Sequence, residues 1–288
     1  MTQDSQPNKE EQVGRWYLRF NWYHRFIHVL IMFSFLGLVI TGMPLKFYSE
    51  GWAQVLTRAM GGIEAAGFWH RVCGAVTFLY FFLHLVYALY YIIRIRREPI
   101  LKWAFGPDSM LPSIKDVEDV TGHILWFMGL GERPKFDHFT YWEKFDYLAV
   151  FWGVGIIGLS GLTLWFPEFF SLFLPGWVFN VSIILHSDEA ILASGFIFTI
   201  HFFNTHLRPE KFPLDHVVFT GKMSEEEFRH ERPLEYERMV REGRLEAFET
   251  SPPSRAALLW SNIVGILTYA IGLSVLFLIF YSLIAQLH

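Results

Sequence analysis

The stretch HRVCGAVTFLYFFLH, residues 70–84, places two histidines fourteen positions apart inside an otherwise apolar run. A second stretch, HSDEAILASGFIFTIH, residues 186–201, does the same with a spacing of fifteen. Runs of about 20 apolar residues are long enough to cross a bilayer as helices. Ionisable side chains are costly there and mark function by default. At a rise of about 1.5 Å per residue, histidines so spaced lie roughly 21–22 Å apart along a helix. At about 100° per residue they return to within roughly 40–60° of the same face. Each helix thus offers one imidazole near each side of a membrane.

The surrounding chain agrees with a membrane setting. Of the 288 residues, 52% are hydrophobic and 18% charged, against about 25% charged in soluble domains. Five segments are long and apolar enough to span: about 26–47, 68–95, 147–166, 183–207 and 256–287. Backbone groups in lipid must be satisfied within a segment, so such runs read as helices. The expected fold is an all-α transmembrane bundle, four core helices and a fifth C-terminal one. It divides into a core at 1–210, a charged insertion at 211–255 with one short helix near 224–243, and the last span at 256–288. No repeat of fixed period is evident.

Arginine and lysine crowd the N-terminal arm (Arg15, Arg19, Arg25), the link after the second helix and the link after the fourth. The positive-inside rule then places these three segments and the N-terminus in the cytoplasm, and the C-terminus on the periplasmic side of a bacterial inner membrane. The first residues lack a signal peptide's basic-then-apolar pattern, so the first span is expected to stay in the mature chain. A net charge of -4 gives no case for a nucleic-acid partner. The single cysteine, Cys73, excludes an internal disulfide and a covalent Cys-x-x-Cys-His haem attachment.

Counting back from the cytoplasmic arginines puts His70 level with His186, and His84 level with His201. Such paired imidazoles are axial ligands for haem iron, so two b-type haems stacked across the membrane are expected. His28 and His206 lie near the cytoplasmic face. They could hold a third haem, or one of them could replace His84 or His201 as a ligand. Gly74 and Gly195 leave helix faces without bulk, as a flat macrocycle needs and as ordinary packing also uses. Asp188 and Glu189 could accept protons from a quinol, or could cap the start of the fourth helix. Segment 137–146 could serve similarly on the inner side. His24, His123, His138, His216, His230 and His288 read as solvated.

These motifs resemble a membrane di-haem cytochrome b family. His70-Arg71 with Leu83-His84 resembles the haem-binding helix of cytochrome b in the bc complexes, and the spacings look most like the chloroplast and cyanobacterial form. Arg25-x-x-His28 with Thr41-Gly42, and His70 with Gly74, resemble instead the cytochrome b subunits of formate dehydrogenase and nickel-iron hydrogenase. Trp142-Glu143-Lys144-Phe145-Asp146-Tyr147 and Ser160-Gly161-Leu162 are similar to bacterial members of this wider set. The likeness covers about residues 15–210, and the Pro-Glu-Trp-Tyr quinol-site motif of bc complexes is missing.

In the second group the first-helix histidine is itself a ligand, which keeps His28 in play. The resemblance implies a respiratory membrane subunit that moves electrons between quinone or quinol and a partner. That partner would be a periplasmic multihaem cytochrome or an iron-sulfur subunit. A haem-containing anchor without its own quinone site and a haem-free histidine-relay transporter are the other readings.

Overall fold

The structure, a computed structural model, describes residues 14–96 and 98–287. It is an all-α bundle with five helices long and apolar enough to cross a membrane: Trp22–Lys46, Ile63–Ile95, Tyr141–Trp165, Trp177–Leu207 and Arg255–Ala285. These are called the first to fifth spans. Each starts earlier than the apolar runs alone suggest, because polar residues cap or line the extra turns. The Asn21 side chain accepts from the His24 amide, and Thr140 and Glu143 form a reciprocal capping box. Ser254 caps the fifth span at the Ala257 amide.

The fourth span begins at Trp177, six residues before the expected start, because Ser182 is satisfied inside the bundle by the Thr163 hydroxyl at 2.8 Å. Asp188 and Glu189 therefore sit well inside the helix and cannot cap its start.

The first span packs along the second, and the third along the fourth. The second and fourth make little direct contact with each other. In the most apolar window of each span, 33% of the first is buried but only 6% of the second and third. The first is thus the inner helix, while the others turn apolar side chains outward, as lipid contact requires. Between helices in lipid, association depends on close van der Waals fit rather than on water exclusion. The fifth span shows this fit: Gly272 receives the Phe198 and Phe202 rings, and Ser261 and Ser282 are fully buried. Leu36, Val39, Met43, Phe198, Phe202 and Ile279 form the shared core of the first, fourth and fifth spans.

The three basic segments meet at one end of the bundle, here called the basic end. Strand β1 (Trp16–Leu18) pairs antiparallel with β2 (Lys222–Ser224) and with β3 (Glu249–Thr250), giving the order β2-β1-β3. The N-terminal arm is thereby built into the insertion, across the boundary expected at 210. Tyr17 is buried there with Val217, Met223, Phe228, Met239 and Leu245. Where one short helix was expected near 224–243 there are two, Glu225–Glu231 and Pro233–Arg241. Arg232-Pro233 separates them, since proline lacks an amide proton and fits only a first helical turn.

Ion pairs tie the segments together: Arg19–Glu235 (2.7 Å), Arg208–Glu231 (3.1 Å), Arg232–Glu143 (2.7 Å), Lys144–Asp116 (2.9 Å), and Arg238 to both Asp108 and Asp137 (2.7 Å each). Two histidines expected in solvent take part in this packing. His123 is buried on the helix Ile114–Phe127, stacked on Phe127. His138 donates from Nδ1 to the Glu235 carboxylate and offers its carbonyl to Arg19.

The first and third spans share a common register. One sequence offset relates the caps Asn21 and Thr140, the helix starts Trp22 and Tyr141, and the ends Lys46 and Trp165. The same offset pairs Phe26 with Phe145, Gly42 with Gly161 and Phe47 with Phe166.

Burial pushes the Glu235 carboxyl up, but Arg19 and His138 outweigh it and hold it at about 2. A carboxyl depressed from 4.5 stabilises the folded basic end above pH 4.5, and this contribution is lost as pH falls through about 2. Hydrogen exchange of the strand amides should accelerate in that window. Glu235→Ala should abolish most of their protection at neutral pH, because a buried pair broken on one side costs about 3–5 kcal/mol. Unchanged protection would show that Arg19 finds another partner.

Candidate functional site

The Thr-Gly pair near the end of the first span prepares the seat for His70. Thr41 donates its hydroxyl proton to the Gly37 carbonyl at 2.6 Å, which leaves its oxygen free to accept. His70 Nδ1 lies 3.0 Å from that oxygen and must be the protonated nitrogen. Gly42 lets the ring lie flush: a Cβ there would stand 2.9 Å from His70 Cε1.

The other half keeps the glycine but seats its histidine on a backbone carbonyl. Ser160 donates to the Ile156 carbonyl at 2.6 Å, and His186 Nδ1 donates to the Ile157 carbonyl at 2.8 Å. A Cβ at Gly161 would stand 2.8 Å from His186 Cε1.

Both imidazoles are therefore held in one tautomer, with Nε2 the bare lone-pair nitrogen. Neither Nε2 has a hydrogen-bond partner among the described residues. The two ring centroids are 6.0 Å apart and the planes are inclined by 83°. With a metal–imidazole nitrogen bond of about 2 Å and a nitrogen about 1 Å from the ring centre, two rings on opposite sides of one metal have centroids about 6 Å apart. The observed separation fits. So does the outer shell, because a ligating histidine typically donates its other N–H to a neighbouring acceptor, which fixes the ring.

Among the described residues no three His, Cys, Asp or Glu side chains converge on a metal-ion site. Haem needs only an axial pair from the protein, and the residues present fit it. Gly74 and Gly195 add to the fit, since a Cβ at either would meet nothing within 4 Å.

No protein-family profile and no curated protein matches this chain. The site therefore stands on its own geometry.

The histidines nearer the basic end are arranged differently. His84 and His201, expected as a level pair, each face the third span. His84 Nε2 lies 2.9 Å from the Tyr147 hydroxyl, and His201 Nδ1 lies 3.0 Å from Asp146 Oδ2. No second pair of imidazole rings among the described residues is as close as His70 and His186. The buried Nδ1 of His28 has no hydrogen-bond partner among the described residues.

By the offset that relates the halves, Tyr147 occupies in the third span the place of His28 in the first. His206 is also buried, but its Nδ1 accepts from the Asp215 amide at 3.2 Å and its ring packs on Phe202 and Tyr269. The π-helical turn Ile197–His201 adds a residue to the fourth span. A spacing of fifteen there thus acts like fourteen in the second span.

At the far end, Asp188 is exposed and paired with Lys46 at 2.9 Å, joining the fourth span to the end of the first. Glu189 follows, partly buried. Sequence reading had no means to see Tyr147, the Ile157 carbonyl or the acceptor role of Thr41. The recurrence of a hydroxyl residue before glycine, Thr41-Gly42 and Ser160-Gly161, was the available signal.

Gly74→Ala and Gly195→Ala decide what the bare helix faces are for. In the polypeptide alone each methyl enters open space and should stabilise the helix by about 1 kcal/mol. A macrocycle against those faces reverses the sign, so pigment bound per chain should fall. Raised thermal stability with pigment unchanged would assign both glycines to ordinary packing.

Proposed function

We propose that this chain is the b-type cytochrome subunit of a membrane redox complex, passing electrons between quinone or quinol and a partner protein. The observation that carries the reading is the His70–His186 pair, two tautomerically fixed imidazoles with bare Nε2 atoms and ring centroids 6.0 Å apart. His70 and His186 would hold one haem b near the end opposite the basic segments. Haem supplies reversible one-electron chemistry when bound, and the protein supplies its orientation, its potential and its isolation from water.

A second haem b would sit toward the basic end on His201. Its partner is the choice between His28 and His84 that the residue pattern left open. The hydrogen-bond pattern favours His28, because the Tyr147 hydroxyl already engages His84 Nε2 whereas no side-chain hydrogen bond occupies His28 among the described residues. Holding His206 by the Asp215 amide argues against a third haem.

Lysine and arginine concentrate at one end, so the positive-inside rule puts that end, with the N-terminus, in the cytoplasm of a bacterial inner membrane and the C-terminus in the periplasm. A quinol reacting near the opposite end would meet Asp188 and Glu189 as proton acceptors, with Lys46 holding Asp188 in place. The outer surface there would face a periplasmic multihaem cytochrome or an iron-sulfur subunit.

A pyridine haemochrome assay on the purified chain should give two haems. His70→Ala and His186→Ala should each remove the same spectral component, and His201→Ala the other. His28→Ala should match His201→Ala, while His84→Ala should leave both components. Two haems retained in His70→Ala and in His186→Ala would defeat the assignment, and loss of a component in His84→Ala would restore His84 as the ligand.

A further inference from the structure

The outer hydrogen bonds of the histidines are not alike. His70 Nδ1 faces the Thr41 hydroxyl and His186 Nδ1 faces the Ile157 carbonyl, both neutral acceptors. His201 Nδ1 faces Asp146, a carboxylate, at 3.0 Å. Asp146 is buried to the extent that 14% of its side chain is exposed, and its other oxygen, Oδ1, has no hydrogen-bond partner.

Nearby cations are otherwise engaged: Lys144 pairs with Asp116 and Arg232 with Glu143. Among the described residues the only charge-bearing group within ion-pair distance of Asp146 is His201 itself. The negative charge is thus directed at one imidazole with little to compensate it.

We infer that Asp146 is a positioning residue that makes the site at His201 lower in reduction potential than the site at His70 and His186. The inference rests on the proposed haem-binding function. A carboxylate that accepts the Nδ1 proton increases the basicity of the opposite nitrogen, and a more basic axial nitrogen favours the oxidised metal. Hydroxyl and amide carbonyl acceptors do this far less. Electrons at equilibrium then rest at the His70–His186 end, away from the basic end. The first span has no such carboxylate at the matching position, because Ile27 stands there where Asp146 stands in the third.

The test is a spectroelectrochemical titration of the full-length chain in membranes or detergent, with haem per chain measured in parallel. In the unmodified protein the lower-potential component should be the one that His201→Ala removes. Asp146→Asn keeps the size and an acceptor oxygen but drops the charge. It should retain haem and shift that component's oxidised-to-reduced preference about tenfold toward reduction, about 59 mV for one electron, with the other component unmoved. Asp146→Glu should leave both in place.

If Asp146→Asn holds its haem and neither potential moves, the inference is overturned. It is equally overturned, whatever the variant's stability, if the lower-potential component of the unmodified protein is the one lost in His70→Ala. Absence of haem from the unmodified chain would instead defeat the proposed function.

Discussion

An imidazole N–H inside a bilayer needs an acceptor, and that requirement organises this bundle. Water is not available to take the proton's bond, so the N–H of His70 and of His186 needs an acceptor from a neighbouring helix. His70 and His186 meet the requirement at Nδ1 through acceptors on the first and third spans. This draws the first span onto the second and the third onto the fourth. It also leaves both Nε2 atoms without a protein partner among the described residues, on rings whose centroids are 6.0 Å apart. The glycines at 42 and 161 follow from the same need, since any side chain there would push the ring off its acceptor.

The basic end meets a different constraint. Several arginines are withdrawn from water there, and a buried charge is tolerable only when paired. Arg19 with Glu235, Arg232 with Glu143 and Arg208 with Glu231 form a network whose members come from the N-terminal arm, the third and fourth spans and the insertion. The network holds the first turns of the third span and the last turns of the fourth. Those turns carry Asp146, Tyr147, His201 and His206. The insertion is thus a clamp on the helix ends that bear the second set of histidines, in addition to any docking surface it presents.

Much of the fold was legible from residues alone, because spans are written in long apolar runs that only a helix can satisfy. The His70–His186 pairing was legible too, since rise per residue converts sequence count into depth. What depth cannot give is which edge of a ring faces which neighbour. His84 and His201 sit at matching depth, yet Tyr147 and Asp146 take one nitrogen from each. Helix starts were misjudged where polar residues such as Asn21, Thr140 and Ser182 are satisfied by caps or by neighbouring helices. The N-terminal strand was invisible because Trp16–Leu18 acquires its meaning only from β2 and β3, more than 200 residues away.

The near-perpendicular setting of the His70 and His186 rings gives the most direct test of the central claim. Two axial imidazoles crossed at 83° about a ferric haem produce a strongly anisotropic low-spin signal with a large maximal g value. Low-temperature electron paramagnetic resonance of the oxidised, purified chain should contain that signal, and His186→Ala should remove it. A spectrum with no low-spin ferric iron, from protein expressed with ample haem, would contradict the assignment of these imidazoles as axial ligands.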